Sequence, residues 1–385
     1  MQMPKVYFPG LDALRAIAVL LVFAGHFGTV MSYWGLDLNF VCLSGLAGAG
    51  LILFFVLSGF LITYLLLLEQ VDYRKINVPN FYIRRMLRIW PLYYLIVGIG
   101  QFLIPSTGLL GLEKIDQAIL ANFHQQSLWY LLFLPNIAFL SNPVNFYIGH
   151  TWSIGVEEQF YLIWPWVLKK CGKHLYSILW ALILLALLSS WSYQYWFPGL
   201  NDKGKGLHWL SKINAAFYWS NIGYFALGGL MAFCKLMRPR LEIFLSRPTV
   251  QIASLLLSCC ILIGPKFPLE EFLLAILFAV LVLNASQAGT LLYRLQHPIL
   301  LYLGKISYGM YIFHILAIIV SSELLLKTGA QHLPQPVFGA LSFSLALGMT
   351  FLAGTISYSF VESFFLRLKA RFRTINTSPR KGPSN

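Results

Sequence analysis

Apolar runs of membrane-spanning length recur along the chain, near Leu11–Tyr33, Gly48–Leu68, Met86–Ile104, Gly149–Leu168, Leu175–Trp196, Ile213–Phe233, Thr249–Ile263, Glu271–Gln287, Leu300–Leu326 and Val337–Glu362. A helix rises about 1.5 Å per residue and a hydrocarbon core is about 30 Å thick, so roughly 20 apolar residues make one crossing. The pattern predicts an all-α, polytopic membrane helix bundle of about ten transmembrane helices. One further run, Leu128–Phe139, is short and contains Pro135. Its length suits a re-entrant or interfacial segment better than a crossing. No internal repeat is visible, which takes weight from an inverted-repeat transporter.

Charge decides the topology. Hydrophobic residues make up 58% of the 385 and charged residues 11%, at a mean hydropathy of +0.69. That is a membrane protein, not a soluble domain. The net charge of +14 has no basic soluble stretch to carry it toward nucleic acid, and basic loops beside the spans account for it. With the N-terminus inside and Leu128–Phe139 not crossing, only Lys114, Lys203, Lys205, Lys212, Lys266 and Lys327 fall outside, and 22 of 28 basic residues lie inside. If the short run crossed, 12 would lie inside and 16 outside. The positive-inside rule selects the first arrangement, with both termini cytoplasmic in a plasma (inner) membrane.

The five cysteines, Cys42, Cys171, Cys234, Cys259 and Cys260, show neither metal-ligand spacing nor a disulfide framework, so no metal is expected. Asp12 and Arg15 interrupt what would be the apolar core of a signal peptide, so an uncleaved first span is expected. Residues 1–366 are read as one integral-membrane domain and 367–385 as a basic, disordered cytoplasmic tail. Two outer segments, Pro105–Gly149 with Trp129, Tyr130 and Asn136, and Pro198–Lys212 with Asn201, Asp202, His208 and Trp209, suit carbohydrate. Interfacial Trp and Tyr more often simply anchor helices.

The chemistry lies in the polar residues that interrupt the spans. A charge inside a spanning helix costs about 2.5–3.5 kcal/mol on insertion scales and marks a site by default. Arg15 and His26 are eleven residues apart, close to three turns, so they share a face with His26 about 16 Å deeper. The plainer alternative is a snorkelling arginine and a satisfied interhelical histidine. Arg84, Arg85 and Arg88 form one basic surface where the third span begins. They serve equally as a positive-inside signal or as a guanidinium clamp for phosphate. In Thr151-Trp152-Ser153-Ile154-Gly155-Val156-Glu157-Glu158-Gln159-Phe160-Tyr161 the adjacent carboxylates are costly near a span, and Glu157 shares a face with Tyr161. A buried Glu157 can orient a histidine. Ser307, Tyr311 and His314 make one polar stripe, for which interhelical hydrogen bonding is at least as good a reading as catalysis. Ser58-Gly59 is explained by close helix packing alone.

Together these residues resemble the acyltransferase 3 family of integral-membrane acyltransferases, which modify sugars of surface and exported glycans. The resemblance rests on Gly10-Leu11-Asp12-Ala13-Leu14-Arg15, His26, Phe55-Val56-Leu57-Ser58-Gly59-Phe60, Arg85-x-x-Arg88, Trp152 to Tyr161 and Ser307-Tyr308-Gly309-Met310-Tyr311. These stand in the family's order from about Tyr7 to Glu362, and Gly155, where a second serine is common, departs from the pattern. The chain looks like the form without an appended esterase-like domain.

What the resemblance implies is transfer of an acyl group, most often acetyl from acetyl-CoA, to a sugar hydroxyl at the outer side of the membrane. His26, Glu157, Glu158 and His314 are the implied catalytic residues, and Arg15, Arg85 and Arg88 the donor-binding ones. Asp12, Trp152, Ser153, Tyr161, Ser307 and Tyr311 are the implied substrate contacts. His26 is either a general base or a transient acyl carrier, with Glu157 holding its other nitrogen. The rival classes are a secondary transporter, which also buries Arg, Glu and His, and a non-catalytic scaffold of glycan export.

Overall fold

A computed structural model of the chain describes residues 6–33, 45–141, 145–195, 208–372 and 375. Asn201, Asp202, the side chains of His208 and Trp209, and the tail beyond residue 375 lie outside the described residues. Among the described residues there are helices and no strand.

The order is α1 (Pro9–Tyr33), α2 (Leu46–Tyr73), α3 (Val78–Val97), α4 (Ile104–Thr107), α5 (Glu113–Ala121), α6 (Phe123–Leu131), α7 (Pro135–Ser141), α8 (Trp152–Cys171) and α9 (Leu175–Tyr195). Then follow α10 (His208–Trp219), α11 (Ile222–Met237), α12 (Pro239–Leu245), α13 (Pro248–Ile263), α14 (Glu270–Ala285), α15 (Pro298–Lys327), α16 (Gln335–Ser357) and α17 (Ser363–Lys369). Prolines open α12, α13 and α15, where a missing N–H breaks no helical bond.

Six helical runs among the described residues are long and apolar enough to cross a membrane, and α12 with α13, bent by 59°, makes a seventh. The chain is an all-α membrane helix bundle. The difference from about ten lies in particular elements. The run Gly149–Tyr195 is 47 residues long, about 70 Å, more than twice a hydrocarbon core. It folds back: Trp164 of α8 and Leu179 of α9 both lie within 4 Å of where a Cβ on Gly229 would stand. Helices α11 and α14 have 16 residues each, about 24 Å and short of the core thickness. The run Leu128–Phe139 is broken by Phe133 at φ 57° into α6 and α7, of nine and seven residues. At about 14 and 11 Å neither spans.

Helices α1, α2 and α15 form the centre. Helix α1 runs parallel to α15, with Asp12 beside Gly304, His26 beside His314 and Met31 beside Ser322. A Cβ on Gly304 would collide with the Asp12 carbonyl, so only glycine permits this approach. Helix α2 is antiparallel to α1, with Gly25 against Ala47 and Gly50 against Ala18. Helix α8 runs along α2, pinned by Ser58 to Glu157 and Thr63 to Trp164. Helix α16 returns along α15, where Tyr302 bonds Thr355 at 3.3 Å.

Candidate active site

One end of the bundle gathers basic side chains from four elements. A cavity of about 710 Å³ is lined there by Arg15 of α1, Arg84, Arg85 and Arg88 of α3, Lys305 of α15 and Lys369 of α17, against the carboxylates Asp12 and Glu69. Six cations face two anions, so the mouth carries a surplus of positive charge. Asp12 pairs with Arg15 one turn on, and Arg84 pairs with Glu69 at 3.6 Å while donating to the Phe372 carbonyl at 3.0 Å. Arg85 rests on the rings of Tyr161 and Phe81, at 5.3 and 5.8 Å, and its Nε is buried with no hydrogen-bond partner among the described residues. An orphaned guanidinium nitrogen beside a cationic cavity fits an anionic ligand.

Arg15, Leu61, Arg85 and Arg88 also line a second, narrower cavity of about 120 Å³ deeper in the bundle. Its polar lining is Ser58, Ser153, Glu157, Tyr161, Ser307, Tyr308 and Tyr311. Ser58 donates to Glu157 Oε1 at 2.8 Å and Tyr161 donates to Oε2 at 3.0 Å. Tyr308 donates to the Ile89 carbonyl at 2.7 Å, tying α15 to α3. Ser153 and Tyr311 share a hydrogen bond of 2.5 Å.

Tyr311 closes this cavity, and histidines stand behind it. Its ring lies 5.5 Å from His150 and 5.6 Å from His314, and its hydroxyl donates to the His150 carbonyl at 2.8 Å. His314 Nε2 is 3.0 Å from His26 Nδ1. His314 is 0% and His150 5% exposed, whereas His26 is half-buried. Among the described residues no group of three His, Cys, Asp or Glu is arranged to hold a metal ion.

The expected residues therefore divide. Ser153, Glu157, Tyr161, Ser307 and Tyr311 meet in the narrow cavity, joined to the mouth by Arg15, Arg85 and Arg88. His26 and His314 pair with each other outside that lining. Glu157 does not hold His26: both its oxygens are taken by Ser58 and Tyr161. Glu158 accepts from Trp90 at 3.1 Å and lines neither cavity. Trp152 packs among Phe55, Phe139 and Trp219, and Asp12 sits in the mouth beside Arg15. Ser58, expected as a packing residue, lines the cavity. His150 was not singled out from sequence. Its signal is a histidine two residues before Trp152 that enters a buried helix start. Gly155 also has its explanation: a Cβ there would come within 2.8 Å of Pro135 and 3.0 Å of the Phe133 carbonyl, so α7 fills the space a serine would need.

The family model described as "Acyltransferase domain" matches residues 8–359, nearly the whole chain. The chain belongs to the acyltransferase 3 family. Among curated relatives of this acyltransferase 3 protein, the peptidoglycan O-acetyltransferase OatA of Listeria monocytogenes is 28% identical over 93% of the chain and 56% of the relative. The putative peptidoglycan O-acetyltransferase YrhL of Bacillus subtilis is 27% identical over 92% of the chain and 54% of the relative. The chain thus spans a little over half the length of these relatives. No solved structure matches.

Proposed function

We propose that the chain is a membrane O-acyltransferase that moves a short acyl group, most often acetyl, from cytoplasmic acyl-CoA to a carbohydrate hydroxyl. The observation that carries this reading is the cationic mouth narrowing to a polar cavity whose end wall, Tyr311, packs against histidines. The mouth volume of about 710 Å³ is within the range of roughly 300–1,000 Å³ usual for small-molecule sites. Its guanidinium groups suit the phosphates of the donor. The narrow cavity, at about 120 Å³, is smaller than the roughly 150 Å³ that accepts a benzene. It suits an acetyl thioester and is too small for a long acyl chain. The acceptor reading follows the relatives, which are named as peptidoglycan O-acetyltransferases, and a glycan of that kind at the outer side is the substrate class we assign.

The chemistry balances without a further reactant. His26 takes the proton of the sugar hydroxyl, and the oxygen attacks the thioester carbonyl. The carbon–sulfur bond breaks, and the thiolate leaves with the proton that His26 returns. General-base assistance of this kind contributes about 10²- to 10⁴-fold. The Tyr311 hydroxyl, whose one hydrogen goes to the His150 carbonyl, holds in place the wall between the narrow cavity and the histidines.

The test is purified protein in nanodiscs with acetyl-labelled acetyl-CoA and peptidoglycan fragments, followed by mass spectrometry of the glycan. Label on a sugar hydroxyl is the expected result. Solute uptake in vesicles with no transfer of label would favour the transporter instead.

A further inference from the structure

We propose that His314 is a positioning residue for His26: it fixes the His26 ring as the tautomer protonated at Nδ1 and leaves Nε2 as the atom that takes the substrate proton. This rests on the reading above that His26 is the general base.

The assignment follows from donors and acceptors alone. His314 Nδ1 lies 2.6 Å from the Tyr311 carbonyl oxygen. A carbonyl only accepts, so Nδ1 carries the hydrogen, and in a neutral imidazole Nε2 is then a lone pair. That lone pair lies 3.0 Å from His26 Nδ1. His26 Nδ1 must therefore donate, and its own remaining lone pair is on Nε2. The next carbonyl along α15 does the same for the third ring: His150 Nε2 donates to Ile312 at 3.1 Å. His150 Nδ1 is consequently an unprotonated nitrogen, buried with no partner among the described residues. Two successive backbone carbonyls of one helix thus set two histidine tautomers, and that of His314 in turn sets His26.

The surroundings of His314 supply no partner for a second proton. His314 is 0% exposed, with the His26 and His150 rings each 4.9 Å away, centre to centre. The one carboxylate of the adjoining cavity, Glu157, is already occupied by two hydroxyls. A proton on His314 would set its Nε2–H against the Nδ1–H of His26. A proton on His26 Nε2 instead strengthens the existing Nδ1–H bond to His314, which becomes charge-assisted. His314 thereby fills, as a neutral acceptor, the place that a buried carboxylate holds behind the histidine of a catalytic triad. Of the three rings His26 is the least buried.

The experiment is nitrogen NMR of the full chain, labelled at histidine and held in nanodiscs, with the His26 signals assigned by their loss in His26→Gln. The expected wild-type spectrum has a protonated Nδ1 and an unprotonated Nε2 on His26. In His314→Phe the acceptor is gone; the His26 tautomer should become mixed and kcat should fall about 10²- to 10⁴-fold, as when a triad histidine loses its orienting partner, with the donor KM within a few-fold. His314→Gln keeps an acceptor oxygen and should recover at least tenfold over His314→Phe. A wild-type His26 protonated at Nε2 overturns the proposal, as does folded His314→Phe protein with kcat within threefold of wild type. The NMR readout needs no turnover, so it is separate from the failure of the base assignment, which active His26→Gln protein would show.

Discussion

Ser58 and Glu157, 99 residues apart, are joined by a 2.8 Å hydrogen bond that fastens α2 to α8 at the floor of the narrow cavity. Both carboxylate oxygens of Glu157 are satisfied by hydroxyls, which is what allows the group to sit so deep. Ser58→Ala leaves Oε1 without its partner and is expected to cost about 1–3 kcal/mol of stability. Glu157→Gln keeps the shape but turns an N–H toward one of the two hydroxyls; thermal melting should show a loss of the same size. Melting temperatures unchanged in both variants would separate this pair from the stability of the bundle.

Arg85→Ala and Arg88→Ala are expected to weaken acyl-CoA binding more than glycan binding. A charge-assisted hydrogen bond contributes about 1.5–3 kcal/mol, so each change should raise the donor Kd by roughly 10- to 100-fold. Arg85→Lys should not rescue fully, because an ammonium lacks the planar fork and the ring stacking on Tyr161 and Phe81. Isothermal titration with a non-hydrolysable donor analogue measures this. An unchanged donor Kd with lost turnover would remove the arginines from the donor site.

His26→Gln should abolish transfer while the protein inserts and melts normally. A histidine that served only packing would cost about 0.5–3 kcal/mol when replaced, and surviving molecules would remain active. Glutamine does not accept a proton near neutral pH, so a base cannot be replaced by it. The reading is specific activity per folded molecule. Turnover within a few-fold of wild type would transfer attention to His314.

Gly155→Ser is expected to destabilise the protein by about 1–3 kcal/mol, since the added side chain must displace Pro135 or the Phe133 backbone. Thermal melting checks it, and a paired Pro135→Ala change should relieve part of the loss.

Cysteines placed at Lys170 and Gly382 in a cysteine-free chain should be protected from membrane-impermeant reagents in intact cells, because 22 of 28 basic residues then lie inside. Labelling from outside would invert the topology and put the cationic mouth on the wrong side for a cytoplasmic donor.

Much of the architecture was decided by sequence alone. Apolar runs of spanning length became helices because backbone groups in lipid have no partner but their own helix. The basic residues Arg15, Arg84, Arg85, Arg88 and Lys305 converge on one cavity at one end of the bundle, as expected of charges excluded from the hydrocarbon. The eleven-residue interval between Arg15 and His26 set them on one face of α1, because helical periodicity is a local property. Periodicity names a face but not the neighbour that meets it, and there the tertiary structure decided. His26 finds His314 across 288 residues, and Glu157 finds Ser58 in place of a histidine, because the register of α1 on α15 and of α8 on α2 is set by how closely backbones approach. The absence of a side chain at Gly304 lets α1 reach α15 at Asp12, and the positive φ at Phe133 turns Pro135 into the space beside Gly155. His150 acquires its place in the same way, carried beneath Tyr311 by the start of α8. Its burial beside two other histidines arises from contacts between segments far apart in the chain, which the spacing of residues within any one segment does not encode.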